Sequence, residues 1–367
     1  MRAVSSSRSS SASLVKMTAI FPVSTAGVKF DKLKNPLCAT VEVITSATES
    51  THSSTVVSFF ASFAIHTECN SPRTKATAVM SSVSNGSTNC IPTRHASYEA
   101  LANDPEVDAI YVSTPHPFHK DNSILCLRAG KAVLCEKPFT INAAEAKAVV
   151  EVAREHGVFL MEAMWSRFFP AMRQVKKWLD EGAIGEVRLV NADFGFRAGI
   201  NPEGRLFNPA LGGGALLDVG IYATSFASFV LGPHPTRIES MAHIGETGVD
   251  EQNALILGYE NGAMALLSSA IRTSTPHEAT IVGTEGTIRI PTHFWRAAKA
   301  SLKAGDREEE VEFETQGNGY NYEAAEVGRC LREGLLESPT MPLDETIALM
   351  HVLDAVRAQW GLTYPME

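Results

Sequence analysis

The sequence predicts a two-domain protein of the α/β class, in which a parallel sheet comes first and a larger, mostly antiparallel sheet follows. Between residues 107 and 164, short apolar runs rich in β-branched residues alternate with helical patterns, which is typical of a parallel sheet. Beyond Pro170, extended runs follow one another with few helices between them, which favours antiparallel pairing. The length of 367 residues suits two domains of ordinary size.

The first sheet is predicted from three buried strands, which fall at residues 107–114, 132–136 and 158–164. A connecting helix over residues 121–129 is expected to end at Gly130. The next helix is expected to begin at a capping box of Asn142 and Glu145 and to end at Gly157. Strands joined through helices form right-handed parallel units, so this pattern is the second half of a Rossmann-like, doubly wound sheet.

The remainder of the chain predicts an α+β domain with a large open, mostly antiparallel sheet. Its strands are expected at residues 186–196, 237–244, 253–259, 263–271, 278–282 and 287–290. Asn261 and Gly262 form a good hairpin turn between two of these strands. Helices are expected at residues 171–181, 214–231, 322–336 and 343–360, and the last two could pack back on the first domain.

The N-terminal quarter differs in composition from the rest of the chain. Ser and Thr make up 31 of the first 95 residues, and glycine occurs there only at Gly27 and Gly86. The same 95 residues carry nine Lys/Arg and four Asp/Glu, which gives a formal net charge of +5. The other 272 residues carry 23 Lys/Arg and 37 Asp/Glu, which gives a formal net charge of −14. We therefore divide the chain into an anomalous Ser/Thr-rich segment at residues 1–90, a half-sheet domain at 91–165 and an α+β domain at 166–367.

Bulk properties exclude several classes of protein. The formal net charge is −9, so a nucleic-acid binder with a basic face is not expected. The sequence has no run of about 18 apolar residues, so a membrane span is not expected. The six cysteines form no CxxC pair and the histidines show no metal-site spacing, so we expect no metal and reduced thiols in a cytoplasmic protein. Arg2, Arg8 and Lys16 lie among serines without an acidic residue, which is also compatible with organelle targeting.

Two groups of candidate functional residues follow neighbouring strands of the first sheet. Glu136, Lys137 and Pro138 end one strand, and ligands of such sheets bind at the carboxyl ends of strands. A lysine there can serve as a general acid or base, although an exposed lysine at a strand end is common. The segment Thr114-Pro115-His116-Pro117-Phe118-His119 ends the preceding strand and offers donors to a ribose or carboxamide. It could equally be a rigid turn with histidines facing solvent.

A third group surrounds three consecutive glycines, Gly212 to Gly214, which allow a ligand to approach the backbone closely. Asp218 and Tyr222 follow, four residues apart and hence on one helix face, among apolar neighbours. Both polar groups need partners inside the protein, which a substrate or a structural Asp–Tyr hydrogen bond could supply. Trp165 and Arg167 form a fourth group where the two domains should meet. They could hold a nicotinamide and its phosphate, or serve interdomain packing.

Taken together, these motifs resemble the Gfo/Idh/MocA oxidoreductases, in particular the branch of dimeric dihydrodiol dehydrogenases and NADP-linked D-xylose dehydrogenases. The resemblance runs from Ile91 to the end, about three quarters of the chain. It depends on the joint occurrence of IPTRHASYEAL, DPEVDAIYVSTPHPFH, AGKAVLCEKPF, FLMEAMWSRFFP, GAIGEVRLVNADFGF, NPEGRLFNPALGGGALLDVGIY and GTEGTIRI.

The resemblance implies hydride transfer between a CH–OH group and NADP or NAD. Lys137 would be the catalytic lysine, assisted by Asp218, and Tyr222 would be a further acid/base. The cofactor would contact Thr114, Pro115, His116, His119, Glu136, Lys137, Pro138, Trp165 and Arg167. The substrate would contact Arg188, Phe194, Asp218 and Tyr222. The resemblance further implies a sugar, polyol or trans-dihydrodiol substrate, residues 166–367 as the substrate-binding domain, and a homodimer formed through the open sheet.

One departure from the family concerns the glycine-rich turn that binds the cofactor pyrophosphate at a helix N-terminus. The nearest segment is Ser24-Thr25-Ala26-Gly27, with a single glycine. Three explanations are open: a first segment from a wrong reading frame or mis-joined exon, which we favour, a diverged cofactor half, or a non-enzymatic relative. The rival function is therefore a sugar- or dinucleotide-binding protein without turnover, or an inactive chain.

Overall fold

The computed structural model describes residues 17–20, 38–39 and 94–367, which form two sheets with helices packed on them. The first sheet has six strands, β1 (Met17–Ile20), β2 (Cys38–Ala39), β3 (Arg94–His95), β4 (Ala109–Val112), β5 (Ala132–Glu136) and β6 (Leu160–Ala163). Their order across the sheet is β3-β2-β1-β4-β5-β6. Strands β1, β4, β5 and β6 run parallel, whereas β2 and β3 are two-residue antiparallel additions.

Helices α1 (Tyr98–Ala102), α2 (His119–Arg128) and α3 (Ala143–His156) accompany this sheet. The predicted N-cap is present, because the Asn142 side chain accepts a hydrogen bond of 2.9 Å from the Glu145 backbone N–H. The Glu145 side chain accepts from the Ile141 backbone N–H at 3.3 Å, one residue before the position that a capping box uses. Gly157 ends α3 in the left-handed conformation at φ 60°, which glycine adopts without steric cost. The predicted Rossmann-like α/β fold is confirmed, and its first half is atypical. The Ser24–Gly27 segment lies outside the described residues.

The second sheet has eight strands and only one parallel pair. The elements in chain order are α4 (Pro170–Asp180), β7 (Val187–Gly195), α5 (Ile221–Leu231), β8 (Arg237–Ile244), β9 (Asp250–Gly258), β10 (Met264–Ala270), β11 (Ala279–Gly283), β12 (Thr287–Ile290), β13 (Lys299–Ala304), β14 (Arg307–Glu312), α6 (Tyr320–Glu333) and α7 (Leu343–Trp360). The strand order is β14-β13-β12-β11-β7-β10-β9-β8. Only β7 and β10 pair in parallel, so the predicted mostly antiparallel sheet is confirmed.

A long apolar helical stretch packs between the second sheet and the C-terminal helix. Residues Pro209–Leu231 are long and apolar enough to cross a membrane, but 83% of their most apolar window is buried inside the fold. Within it, a π-helical turn (Leu216–Gly220) leads into α5, which packs against β7, β10 and α7. Helix α7 also packs against α3 and β6, and thereby joins the two sheets. This stretch is therefore a core helix that carries Asp218 and Tyr222 toward the first sheet.

Candidate active site

The carboxyl ends of β4 and β5 form one side of the site. The Lys137–Pro138 peptide directly after β5 is cis. Both ring nitrogens of the buried His119 meet backbone carbonyls, that of Pro138 at 2.9 Å and that of Thr114 at 2.7 Å. His119 therefore joins the two strand ends from inside the protein. Its two ring nitrogens are both occupied by these carbonyls, so the described contacts of this side chain are structural.

Lys137 meets the helix of the second domain at Asp218. Its ammonium donates a 2.7 Å hydrogen bond to the Asp218 backbone carbonyl and lies 3.6 Å from the Asp218 carboxylate. The same carboxylate accepts a 2.7 Å hydrogen bond from Arg205. Burial alone would raise the pKa of Asp218, but the charges of Lys137 and Arg205 outweigh burial and lower it to about 2. Asp218 is therefore a carboxylate throughout the physiological pH range and holds two cations in the site.

Tyr222 lies on the other side of the lysine. The Lys137 ammonium lies 4.8 Å from the centre of the Tyr222 ring, within the range of a cation–π contact. The Tyr222 hydroxyl accepts a 2.7 Å hydrogen bond from the Trp165 indole N–H, and Trp165 stacks on Tyr320 at 4.5 Å. Burial, followed by the charge of Glu136, raises the pKa of Tyr222 well above its usual value. The phenol therefore keeps its proton and can donate it in a hydrogen bond to a bound oxygen.

An aromatic wall of Phe194, Trp295 and His277 continues from Tyr222 over the sheet. The ring of Phe194 lies 5.5 Å from that of Tyr222 and stacks on Trp295 at 3.5 Å. His277 approaches Trp295 at 4.8 Å. Such rings bind the apolar face of a sugar or a cyclic diol. The polar groups of the site thus stand beside an aromatic surface.

The three glycines form the loop that supports the active-site helix. His116 lies buried with Nδ1 3.0 Å from the Gly212 carbonyl, and the Tyr364 hydroxyl donates to the Gly213 carbonyl at 2.7 Å. Burial, followed by the nearby His119, lowers the pKa of His116 to about 3, so this imidazole is neutral. The loop is therefore fixed from the first domain on one side and from the C-terminal segment on the other.

Glu136 carries a second set of buried polar contacts behind the lysine. It accepts hydrogen bonds from the Tyr111 hydroxyl and, at 3.1 Å, from the Lys137 backbone N–H. Burial raises the pKa of Glu136, whereas the charge of Lys137 and the Tyr111 hydrogen bond act against it. Glu323 of α6 is fully buried nearby, and burial followed by the charge of Glu136 raises its pKa well above the usual value. The two buried carboxyl groups thus oppose each other's ionisation.

Two predicted site residues do not join this centre. The buried Arg167 pairs with Glu345 at 2.6 Å and also donates to Ser225, so it packs helices together and has no free face for a cofactor phosphate. The packing alternative considered for Arg167 is the one observed. Arg188 is exposed near the opposite end of β7 from Phe194, and donates to Glu186 and to the Asn261 carbonyl. Six residues of strand separate it from Phe194 by about 20 Å, because a strand rises roughly 3.3 Å per residue.

The described residues fit the nicotinamide end of a dinucleotide. Strand order reverses between β1 and β4, and the crevice at such a switch point is where doubly wound sheets bind dinucleotides. Thr114, Pro115, Lys137 and Pro138 follow β4 and β5 at this crevice, and Trp165 follows β6. These residues would hold the nicotinamide half of the cofactor. The turn that would receive the pyrophosphate follows β1 and lies outside the described residues.

Comparison with known proteins agrees with this architecture. A model of the oxidoreductase family with NAD-binding Rossmann fold matches residues 56–164, and a Gfo/Idh/MocA C-terminal domain matches residues 172–289. The Rossmann match begins 35 residues before the boundary predicted at Ile91. Trans-1,2-dihydrobenzene-1,2-diol dehydrogenase of Xenopus tropicalis is 41% identical over 282 residues, covering 75% of this chain and 85% of that protein. The Mus musculus enzyme is 42% identical over 286 residues, with 76% and 84% covered.

Two solved structures share the fold. An aldose-aldose oxidoreductase from Caulobacter crescentus, complexed with glycerol, is 26% identical with a TM-score of 0.65 and covers 72% of this chain and 81% of its own. A 3-ketoreductase from Actinomadura kijaniata, with NADP and TDP-benzene, is 28% identical with a TM-score of 0.62, at 71% and 80% coverage. The fold and the site thus define a nicotinamide-dependent dehydrogenase. The chain belongs to the Gfo/Idh/MocA oxidoreductase family.

Sequence reasoning missed three residues of the site, Arg205, Trp295 and Tyr320. Arg205 lies within the NPEGRLFNP motif, thirteen residues before its partner Asp218, and only the fold of that loop brings them together. Trp295 and Tyr320 come from the short turn after β12 and the start of α6. The motif around Arg205 offered a signal, whereas the two aromatic residues stand in segments without any recognisable pattern.

Proposed function

We propose that this enzyme oxidises a CH–OH group of a small cyclic diol or sugar, reversibly, with a preference for NADP over NAD. The observation that carries the proposal is the meeting of Lys137, Asp218 and Tyr222 beside the aromatic wall. The names of the dihydrodiol dehydrogenases and of the sugar oxidoreductases that this chain resembles support the substrate class. The NADP complex of the 3-ketoreductase supports the cofactor preference.

In the proposed mechanism, the residues of the chain orient the substrate hydroxyl and manage its proton. When bound, the cofactor would supply the acceptor for the hydride of the carbinol carbon. Tyr222 is held by Trp165 and donates a hydrogen bond to the substrate oxygen. In oxidation the neutral amine of Lys137 takes the hydroxyl proton, and Asp218 holds the resulting ammonium group in place from 3.6 Å. Placing reacting groups in this way supplies much of the rate of such enzymes.

A second candidate is a sugar- or dinucleotide-binding protein without turnover. The single glycine in the Ser24–Gly27 segment favours this alternative, because the amides of a glycine-rich turn bind pyrophosphate. The three residues of the acid/base set favour the enzyme, because a binding protein has no need of Lys137 beside Asp218 and Tyr222.

Replacing Lys137 by Met separates the two candidates. For the enzyme, we expect K137M to lose at least about a hundredfold in kcat while NADPH binding, followed by fluorescence, changes little, since general acid–base groups contribute 10²–10⁴-fold. Lys147 of α3 is two-thirds exposed and serves as the control, because K147M should keep full activity. Wild-type protein that binds NADPH but turns over neither sugars nor dihydrodiols would establish the binding protein.

We also propose that the enzyme is a cytoplasmic homodimer, organised as segments 1–90, 91–165 and 166–367. Free, buried thiols at Cys126, Cys135 and Cys330 support a reducing compartment. The outer face of the second sheet supports the dimer, since large apolar side chains are exposed there on adjacent strands. These are Met241, Ile256, Met264 and Leu266. Leu266 and Ile256 are direct cross-strand partners, so the apolar surface is continuous.

A further inference from the structure

A hollow of about 270 Å³ lies beside the aromatic wall. Its lining includes three basic side chains, His293, Arg296 and Lys299, and two hydroxyls, Thr292 and Thr315. Among the residues that the structure describes, no carboxylate belongs to the lining. A concave surface with basic and hydroxyl donors and without acidic groups has the chemistry that binds an oxyanion.

The hollow neighbours the active site at Trp295, because its lining residue His293 contacts that ring edge-on at 5.2 Å. Trp295 also stacks on Phe194, which contacts Tyr222. Arg296 follows Trp295 directly, and its charge acts on Tyr320, the residue that stacks on Trp165. The lining of the hollow therefore adjoins both the aromatic wall and the Trp165–Tyr320 stack of the active site.

Among the described residues Arg296 lacks a carboxylate partner, unlike three other arginines of its domain. Arg205, Arg272 and Arg289 each have a carboxylate within 4 Å. Over the part of the chain that the structure describes, the Arg296 side chain has neither an ion pair nor a hydrogen bond. Lys299 is already paired with Glu310 and Glu312, which leaves Arg296 as the cation available to a ligand.

Two histidines beside Trp295 adopt an uncommon backbone conformation. His277 and His293 have φ values of 64° and 71°, and they are the two non-glycine residues with positive φ among those that the structure describes. Their rings lie 5.9 Å apart, and both contact Trp295. Strained residues of this kind persist where the surrounding structure requires them, and they concentrate at ligand sites.

We propose that the hollow is a subsite for an anionic substituent of the substrate, a carboxylate or a phosphate, with Arg296 as the residue that binds it. The inference rests on the proposed oxidation of a sugar or diol and adds a preference within that class. A uronic acid and a sugar phosphate present the same charged oxygens, and a planar guanidinium binds either of them through paired hydrogen bonds.

The test compares glucose, glucuronate and glucose 6-phosphate as substrates of the wild type, R296Q and R289Q. We expect the wild type to favour one of the two anionic sugars by about tenfold or more in kcat/KM, since a charge-assisted pair contributes on that order. R296Q should lose that preference and keep its kcat/KM for glucose. R289Q, which removes a paired arginine elsewhere on the sheet, should behave as the wild type.

The two anionic sugars distinguish a carboxylate subsite from a phosphate subsite. Equal kcat/KM for neutral and anionic sugars, or an anion preference that survives in R296Q, would overturn the inference while leaving the proposed function intact. If neither a sugar nor a trans-dihydrodiol is turned over, the proposed function fails, and calorimetry then tests the subsite without any turnover. Binding of glucuronate or glucose 6-phosphate that R296Q weakens about tenfold supports the subsite, and binding unaffected by R296Q rejects it.

Discussion

At the scale of single residues, two buried aspartates near the active-site helix have opposite protonation behaviour. The pKa of Asp218 falls to about 2 because Lys137 and Arg205 outweigh its burial. The pKa of Asp250 rises to about 7, because burial outweighs its hydrogen bonds from Asn253 and the Leu216 backbone N–H. One carboxylate is thus permanently charged, whereas the other, which holds the first residue of the π-helical turn, titrates near neutrality.

The first prediction concerns Asp250. Its folded pKa is raised above the unfolded value of 3.8, so its contribution to stability is fully present below about pH 4 and is lost as the pH rises through about 7. The wild type should therefore lose stability, on the order of a few kcal/mol, between pH 5 and pH 8 through this group. D250N keeps the acceptor for the Leu216 N–H and should flatten this dependence in thermal unfolding.

Asp306, exposed in the turn between β13 and β14, supplies the matched control. D306N should keep the pH dependence of the wild type. If D250N and the wild type lose stability equally between pH 5 and pH 8, Asp250 does not titrate in that range.

The residues that carry the proposed chemistry could be predicted from the sequence, but many of their partners could not. The spacing of Asp218 and Tyr222 places them on one helix face, and the resemblance to the family adds Lys137 to the same site. Arg205 depends on how a loop folds. The alternation of a strand gives the face on which Arg188 lies but not the end of the sheet that holds the ligand. Sequence motifs thus indicate which residues carry the chemistry. Only the structure shows at which end of a strand or loop a residue lies.

At the scale of elements, the glycine loop is the most constrained connection of the site. Gly214 adopts φ +116°, and a Cβ atom there would lie 2.2 Å from the Asp250 carboxylate oxygen. The loop therefore needs glycine both for its backbone conformation and for the close approach of Asp250. This contact fixes where the π-helical turn begins, and hence where Asp218 and Tyr222 stand.

We expect G214A to lower stability and activity together. The matched control is G248A, since Gly248 also has a positive φ, of +86°, but a Cβ there meets only a Pro209 carbon at 4.0 Å. G248A should cost about 1 kcal/mol from backbone strain alone, whereas G214A should cost several. Denaturant unfolding and kcat measure the difference. Equal losses in the two variants would show that the contact with Asp250 has no energetic importance.

Helices of this fold could be predicted closely, but the edge of the second sheet could not. Helix α7 has the predicted bounds, and α3 has the predicted cap and end. Strands β13 and β14 were missed because β14 reads Arg-Glu-Glu-Glu-Val-Glu, without apolar alternation. Charged side chains are common on exposed edge strands, where they prevent pairing with other chains. The formation of such a strand depends on pairing with its neighbour in the sheet. Its own sequence has no alternation of apolar residues that would predict it.

At the scale of the whole molecule, the second sheet covers the core with one face and exposes an apolar surface on the other. Met241, Ile256, Met264 and Leu266 project from β8, β9 and β10, the strands at one side of the sheet. A monomer seldom exposes a continuous patch of this kind. We therefore expect the outer face to be the interface of the proposed homodimer.

Replacing Leu266 by Glu should dissociate the dimer, because an unpaired charge would be buried at the centre of the interface. Sedimentation velocity should show the mass of a dimer for the wild type and of a monomer for L266E. L336E serves as the control, since Leu336 is also exposed but lies just after α6, away from this sheet face. A wild type that sediments as a monomer at micromolar concentration would refute the proposed interface.

The single parallel pair of the second sheet has a consequence for how the chain folds. Leu189 of β7 pairs with Met264 of β10, 75 residues later, and β7 also pairs with β11 on its other side. Contacts between residues so distant in sequence must form against a large loss of chain entropy, and proteins dominated by them fold slowly. Strand β7, which carries Phe194, is thus a central strand whose pairing depends on segments far away in the chain. We therefore expect the pocket surface to be among the last parts of the molecule to form.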